Sequence, residues 1–216
     1  METRKSLIIV GGGGFCREVI WLARECSSLW DVKGILDDNP DVQGESFCDI
    51  PVLGPVSDWL TYNDSWFCVA IGSPRTRKKV VEKMCSIGIP KFATLIHPSV
   101  LMSDYVQIGE GSIITAGCIL TTQITLRCHT IVNLATSFGH DVVTGDYCTT
   151  APHVAISGNV TMGNGVEVGT GAVIIQGITL GTGSFMGAGA VVSKNMPENI
   201  LAVGCPARQV KHLDPF

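Results

Sequence analysis

The sequence predicts a Rossmann-like α/β N-terminal domain followed by a left-handed parallel β-helix, and three observations lead there. Residues 6 to about 95 alternate short apolar runs with stretches of helical periodicity, the pattern of a parallel sheet flanked by helices. From Ile96 onward an apolar residue recurs every six positions, and no insertion disturbs that register as far as Val192. A period of six belongs neither to a half-buried strand nor to a helix. It fits a solenoid of short flat strands with three turns per coil, which stacks its apolar rows into continuous ladders.

Leu7-Ile8-Ile9-Val10 is short and apolar enough for a buried strand. The glycines from Gly11 to Gly14 end it in a loop, after which Val19, Ile20, Ala23 and Cys26 recur at helical spacing. A second strand, Lys33-Gly34-Ile35-Leu36, stops at Asp37 and Asp38, and a later one, Trp66 to Ile71, stops at Gly72. A charged helix from about Arg75 to Ser86 follows, with Arg75, Arg77, Lys78 and Lys79 reading as its wet face. The order is that of a βαβ domain over residues 1–95, with the repeat domain and a tail over residues 96–216.

The apolar row of the repeat runs from Ile96 through Met102 and Ile108 to Val192, and 15 of its 17 positions are apolar. Composition alone would put roughly eight there. Its only polar members, Thr144 and Thr150, follow His140 closely. Four residues beyond each apolar position, a second row from Val100 to Ala190 holds small or β-branched side chains and no aromatic or charged one. The position directly after the apolar row is glycine seven times, including Gly109, Gly139 and Gly187, where backbone freedom for a corner is expected. Sixteen hexapeptides make about five coils.

A net charge of −4 argues against a nucleic-acid partner, which would call for a basic excess on one face. The apolar run near the N-terminus is too short for a membrane span or a signal-peptide core, so a cytoplasmic protein without membrane insertion is expected. The nine cysteines are an odd number with no C-x-x-C pair, a usage that suits reduced structural thiols better than disulfides or a zinc cluster.

Several short motifs carry a resemblance. They are Gly11-Gly12-Gly13-Gly14-Phe15, Asp37-Asp38, Ala70-Ile71-Gly72, Ile96-His97-Pro98, Gly139-His140-Asp141, Gly158-Asn159-Val160 and Gly204-Cys205-Pro206-Ala207-Arg208. With the repeat, they make the chain resemble the hexapeptide-repeat sugar acyltransferases of the sialic acid O-acetyltransferase family. That group includes N-acetyltransferases of nucleotide-linked amino sugars. The resemblance implies a homotrimer using acetyl-CoA as co-substrate, with active sites between adjacent β-helices and no metal.

Acetyl transfer needs a base to take a proton as the nucleophile attacks the thioester, and imidazole suits this near neutral pH. The resemblance assigns that role to His140, with Asp141 fixing its tautomer. It assigns the nucleotide sugar to Gly13, Gly14, Phe15, Asp37, Asp38 and Gly72. Many relatives have histidine where this chain has Phe15. Asn133 reads either as a sugar contact or as an asparagine bonding along its own turn. Acetyl-CoA is assigned to Thr149, Gly158, Thr170 and Ala188, and an amide such as that of Gly158 could hold the oxyanion. Arg208 and Lys211 read as CoA-phosphate contacts or as solvated charges.

N-acetylation of a nucleotide-linked amino-deoxy sugar is the leading expectation. O-acetylation of a nonulosonic acid keeps the same fold with another nucleophile. A zinc hydratase would draw its ligands from His129, His140 and His153, which lack the usual close pairing. A non-catalytic scaffold would need no histidine–acid pair.

Overall fold

The computed structural model describes residues 4–26 and 28–216. The chain divides into two compact units, Met1–Pro98 and Ser99–Phe216. The first contains β1 (Lys5–Val10), α1 (Gly14–Glu25), β2 (Trp30–Leu36), β3 (Ser46–Phe47), β4 (Ile50–Gly54), β5 (Trp66–Val69), α2 (Pro74–Cys85) and β6 (Lys91–Phe92). They form one sheet in the order β3-β4-β2-β1-β5-β6. All neighbours are parallel except the β3–β4 pair.

Leu7, Ile8, Ile9 and Val10 are fully buried because β1 is central and covered on both faces. The amphipathic α1 packs Cys16, Val19, Ile20, Leu22 and Ala23 inward. The chain leaves β1 toward β2 on one side and later returns with β5 on the other. The strand order therefore reverses at β1, and ligands of open α/β sheets sit outside the carboxyl ends at such a point.

Two features of this unit depart from the sequence reading. The β5 strand ends at Val69; the Ala70 N–H still bonds to the Val10 carbonyl of β1 at 2.8 Å, and Ile71-Gly72 continue as a loop. Arg77 does not lie on the wet face of α2: it is fully buried, and its Nη1 donates to the carbonyls of Ile71 at 2.6 Å and Gly72 at 2.9 Å. A long side chain near the start of α2 reaches back to the loop just before the helix, a tertiary arrangement that the local charge run Arg75 to Lys79 conceals.

In the second unit, strands of two or three residues pair in parallel with partners 18 residues away. One face stacks Ile113, Ile131, Thr149, Glu167 and Phe185. The next stacks Leu101, Ile119, Ser137, Ala155, Val173 and Val191. The third stacks Gln107, Thr125, Val143, Thr161 and Thr179. Inside the prism Ile114, Leu120, Leu126, Val132 and Phe138 are at most 1% exposed. Each such side chain contributes about 1.5–3 kcal/mol of transfer free energy.

Thr144 and Thr150 belong to this interior. The Thr144 hydroxyl accepts the Arg127 N–H at 3.1 Å, and that of Thr150 donates to the Ile131 carbonyl at 3.5 Å. Their polarity serves coil-to-coil bonding and marks no site.

The corners also correct the expected role of the glycines. Positive φ falls two residues later, at Gly111, Gly117, Gln123, His129, Ala135, Asp141 and onward to Gly189. The glycines after the apolar row are needed for close approach instead. A Cβ on Gly139 would stand 2.7 Å from the Gly158 nitrogen of the next coil, and one on Gly169 would stand 2.6 Å from that of Ala188.

The last coil closes with a strand at Ile200–Val203, against which Arg208–His212 returns antiparallel. Phe216 then lies 6.4 Å from the Tyr147 ring, over Gly165. Among the described residues no helix is long and apolar enough to cross a membrane.

Candidate active site

His140 and Asp141 occupy one edge of the prism, just after the strand Ser137–Phe138. Adjacent residues of a strand point their side chains to opposite faces. His140 and Asp141 lie in the turn beyond the strand, where the backbone of Asp141 is left-handed, φ 60°, and held by its N–H bond to the Thr122 carbonyl. Its Oδ2 lies 2.7 Å from His140 Nδ1. An ionised carboxylate only accepts, so Nδ1 donates to it, and in the neutral imidazole the lone pair then sits on Nε2. Both side chains are about half exposed, 51% each, so the pair is open to a reactant.

One coil further along the same edge, Gly158 supplies the floor beneath the imidazole. A Cβ there would stand 2.5 Å from His140 Nε2 and 2.6 Å from Cε1, so glycine alone admits the ring in this position. Gly158 is buried, its carbonyl accepts the Gly177 N–H at 3.0 Å, and its own N–H has no acceptor among the described residues. A free lone pair and an unspent amide thus lie side by side.

The other expected site residues fall elsewhere. Asn133 stands on the preceding edge of the same coil, where its Oδ1 accepts the Leu134 N–H at 2.7 Å, leaving its NH2 group to donate. Thr170 and Ala188 stack one coil apart on that edge, through the Gly189 N–H bond to the Thr170 carbonyl. Thr149, 7% exposed, lies on the face leading into it, between Ile131 and Glu167. One chain therefore unites His140, Asp141 and Gly158, and separates them from Asn133, Thr149, Thr170 and Ala188. His129, His140 and His153 stand on three different edges and converge on no common point within one chain, against the zinc-hydratase alternative.

In the first unit a cavity of about 470 Å³ opens at the carboxyl ends of β1 and β5. Gly13, Gly14, Phe15, Asp37, Asp38 and Gly72 all line it, together with Ile71, Thr76 and Val80. No side chain caps the N-terminus of α1, and its first residues Gly14 and Phe15 line the cavity, an arrangement that suits an anion there. Asp37 accepts the N–H groups of Gly12 and Asn39, which ties the glycine loop to β2. Asp38 accepts the Val56 N–H at 2.9 Å and pairs with Lys83 at 2.6 Å. Burial works against the Asp38 charge, but Lys83 and the Val56 amide outweigh it and hold the carboxyl below its usual range.

Behind Phe15, burial, followed by the nearby Cys48 and Asp37, pushes the Cys16 thiol up to about 12, so it is inert at neutral pH. The residue missed by the sequence reading is Arg77, whose two donated bonds fix the Ile71-Gly72 wall.

Comparison with known proteins bears on this architecture directly. The family model described as the PglD N-terminal domain matches residues 6–84. GDP-perosamine N-acetyltransferase of Escherichia coli O157:H7 is 34% identical over 215 residues, covering 94% of this chain and 95% of its own. The chain belongs to the sugar N-acetyltransferases that carry the PglD N-terminal domain.

Solved structures of similar proteins extend the match. PerB from Caulobacter crescentus, solved with CoA and GDP-perosamine, superposes with a TM-score of 0.89 at 31% identity, covering 97% of this chain and 99% of its own. The acetyltransferase domain of PglB from Neisseria gonorrhoeae FA1090, solved with acetyl coenzyme A, gives 0.88 at 30% identity, covering 96% and 100%. Both units of this chain are thus those of an acetyltransferase.

Proposed function

We propose that the chain transfers the acetyl group of acetyl-CoA to the amino group of a nucleotide-linked amino-deoxy sugar, with His140 as general base. The observation that carries this reading is the 2.7 Å pair of His140 Nδ1 and Asp141, which directs the lone pair of the neutral ring to Nε2, beside the amide of Gly158. As the sugar nitrogen attacks the thioester carbon, Nε2 takes its proton and the carbonyl oxygen becomes an oxyanion. The Gly158 N–H stabilises that charge, and Asp141 stabilises the imidazolium. Collapse breaks the carbon–sulfur bond, and the leaving thiolate takes the proton back from Nε2.

The cavity of the first unit holds the nucleotide, with the open N-terminus of α1 and the loop at Gly13 and Gly14 facing its diphosphate. Phe15, Asp37, Asp38 and Gly72 complete its lining, and Asn133 donates to the sugar. Thr149, Thr170 and Ala188 take acetyl-CoA together with Gly158. Since these residues occupy two edges of one prism, a homotrimer that faces the His140 edge of one chain with the Thr170 edge of its neighbour would gather them. Within the wider sialic acid O-acetyltransferase group, the acceptor here is an amine. The reaction is placed in the cytoplasm, with residues 1–95 serving the nucleotide and 96–216 the transfer.

The test is acetyl-CoA turnover against nucleotide-linked 3- and 4-amino-deoxy sugars alongside nonulosonic acids. Cys48, Cys85 and Cys205 are exposed thiols, so product is read by mass rather than by thiol release alone. Turnover on an amino sugar is expected, and turnover confined to a nonulosonic acid would replace N- by O-acetylation.

A further inference from the structure

The first turn of α1 breaks a local rule. The positive end of a helix favours acidic side chains, yet this turn carries no acid and has Arg17 as its charged residue. Side chains of a helix lean toward its N-terminus, and Arg17 leans far enough for its Nη2 to stand 3.9 Å from where a Cβ on Gly14 would lie. Gly14 lines the cavity of the first unit, so an exposed guanidinium stands at the rim of that cavity. The ring of Phe47 supports it, with the guanidinium carbon 5.9 Å from the ring centroid. Phe47 is fixed in turn by the β3–β4 hairpin. Its turn residues Cys48 and Asp49 are both left-handed, φ 49° and 65°, and Arg24, two turns further along α1, donates to the Cys48 carbonyl. The Phe47 ring reaches to within 3.3 Å of where a Cβ on Gly12 would lie, so hairpin, glycine loop and Arg17 form one assembly.

The other charges at this cavity are already engaged. Asp37 accepts the Gly12 and Asn39 amides, and Asp38 pairs with Lys83. Arg17 forms no ion pair among the described residues. A cation set against the positive end of a helix is repelled by it, and an anion bound beside both turns that repulsion into a shared attraction. The α1 N-terminus offers donors for one phosphate group, and a planar guanidinium beside it matches the oxygens of a second. We propose that Arg17 is a specificity-determining residue: it binds one phosphate of the diphosphate while the α1 N-terminus takes the other. The site thereby selects a sugar carried on two phosphates over a sugar carried on one or on none. This rests on the nucleotide-sugar reading above and adds the group that counts the phosphates.

The test is the affinity of the full chain for GDP, UDP and dTDP and for the matching monophosphates, in Arg17→Gln, Arg17→Lys and Phe47→Leu. In Arg17→Gln the diphosphates that bind the parent are expected to weaken about tenfold, the scale of one hydrogen bond to a charged group. Their monophosphates should weaken by less than about twofold. Arg17→Lys should restore part of the loss. Phe47→Leu keeps the charge but removes its support, and should weaken the same diphosphates about threefold. With a nucleotide-linked amino sugar, the fall in kcat/KM of Arg17→Gln should come from KM. Equal losses for di- and monophosphates would overturn the second-phosphate contact. Undiminished diphosphate affinity in Arg17→Gln would overturn the site while leaving the nucleotide-sugar reading intact. Failure of the unaltered protein to bind any of these nucleotides would overturn the reading and the site together.

Discussion

In the first unit one wall of the cavity is tied by a buried cation, Arg77, which donates to the carbonyls of Ile71 and Gly72. In the second unit every coil repeats the support of the coil beneath it, and eighteen-residue pairing continues from Leu101 to Val191. A sheet with helices gathers its site once, at the point where the strand order reverses. A solenoid offers the same corner many times over, and its site is the corner whose side chains depart from the rest. Damage should therefore stay local in the first unit and spread along the axis in the second.

The largest effect on stability is expected from Arg77→Leu. Removing the guanidinium leaves the Ile71 and Gly72 carbonyls without their buried donor, at a cost of about 1–3 kcal/mol for each group left unsatisfied. All four tryptophans, Trp21, Trp30, Trp59 and Trp66, lie in the first unit, so their fluorescence reports its unfolding separately from the β-helix. The fluorescence midpoint in urea should fall while the far-ultraviolet β-signal of the solenoid holds. Coincident loss of both signals would show that the units do not differ in the way described.

The glycine pair on the His140 edge sharpens the contrast within the solenoid. The Cβ of Gly139→Ala would strike backbone atoms of the next coil, at 2.7 Å from the Gly158 nitrogen and 2.9 Å from the Ser157 carbonyl carbon. Neither can move without parting the coils, so a loss of about 1–3 kcal/mol in β-helix stability is expected. The nearest atoms to the Cβ of Gly158→Ala are those of the His140 ring, a side chain that can swing outward. That variant should unfold like the parent yet lose on the order of a hundredfold in kcat, the scale of a displaced general base. Unchanged turnover in Gly158→Ala would detach the ring position from catalysis.

A smaller change is expected from Asp141→Asn. An amide can offer a donor to Nδ1 and so favour the tautomer with its proton on Nε2, which blocks the base. Because the pair is half exposed, water partly replaces the carboxylate, and a fall on the order of tenfold in kcat/KM is expected, with a changed pH profile. The smallest effect belongs to Asp38. Its carboxyl titrates below the unfolded value, so the stability it lends is full above the unfolded pKa of about 3.9 and is lost as pH falls through the lower folded one. Lys83→Met should remove most of that acid dependence and shift the urea midpoint only slightly at neutral pH.

The solenoid was legible from sequence because its period is its structure: of the apolar row read from Ile96 to Val192, the part from Ile114 onward fills the prism, while Ile96 and Ile108 are only half-buried and Met102 is 47% exposed. His140 and Asp141 were visible as a motif, but their contact was not, since it depends on the left-handed backbone at Asp141. The glycines of the repeat were visible too, although the reason for them is the closeness of successive coils rather than φ. In the first unit β1 and both helices were readable from short apolar runs and helical spacing. The β3–β4 hairpin was not, because two strands of two and five residues carry too little pattern. Arg77 was misread for a related reason: burial of a cation is decided by the loop it bonds, not by its neighbours in the helix.

The central claim is that Nε2 of His140 takes the proton from the acceptor nitrogen, and His140→Ala tests it most directly. With acetyl-CoA and a nucleotide-linked amino sugar, kcat/KM is expected to fall about 10²–10⁴-fold. Coenzyme affinity and both unfolding transitions should stay where they are in the parent. Transfer at the parent rate by His140→Ala would contradict the mechanism and leave the fold without its assigned base.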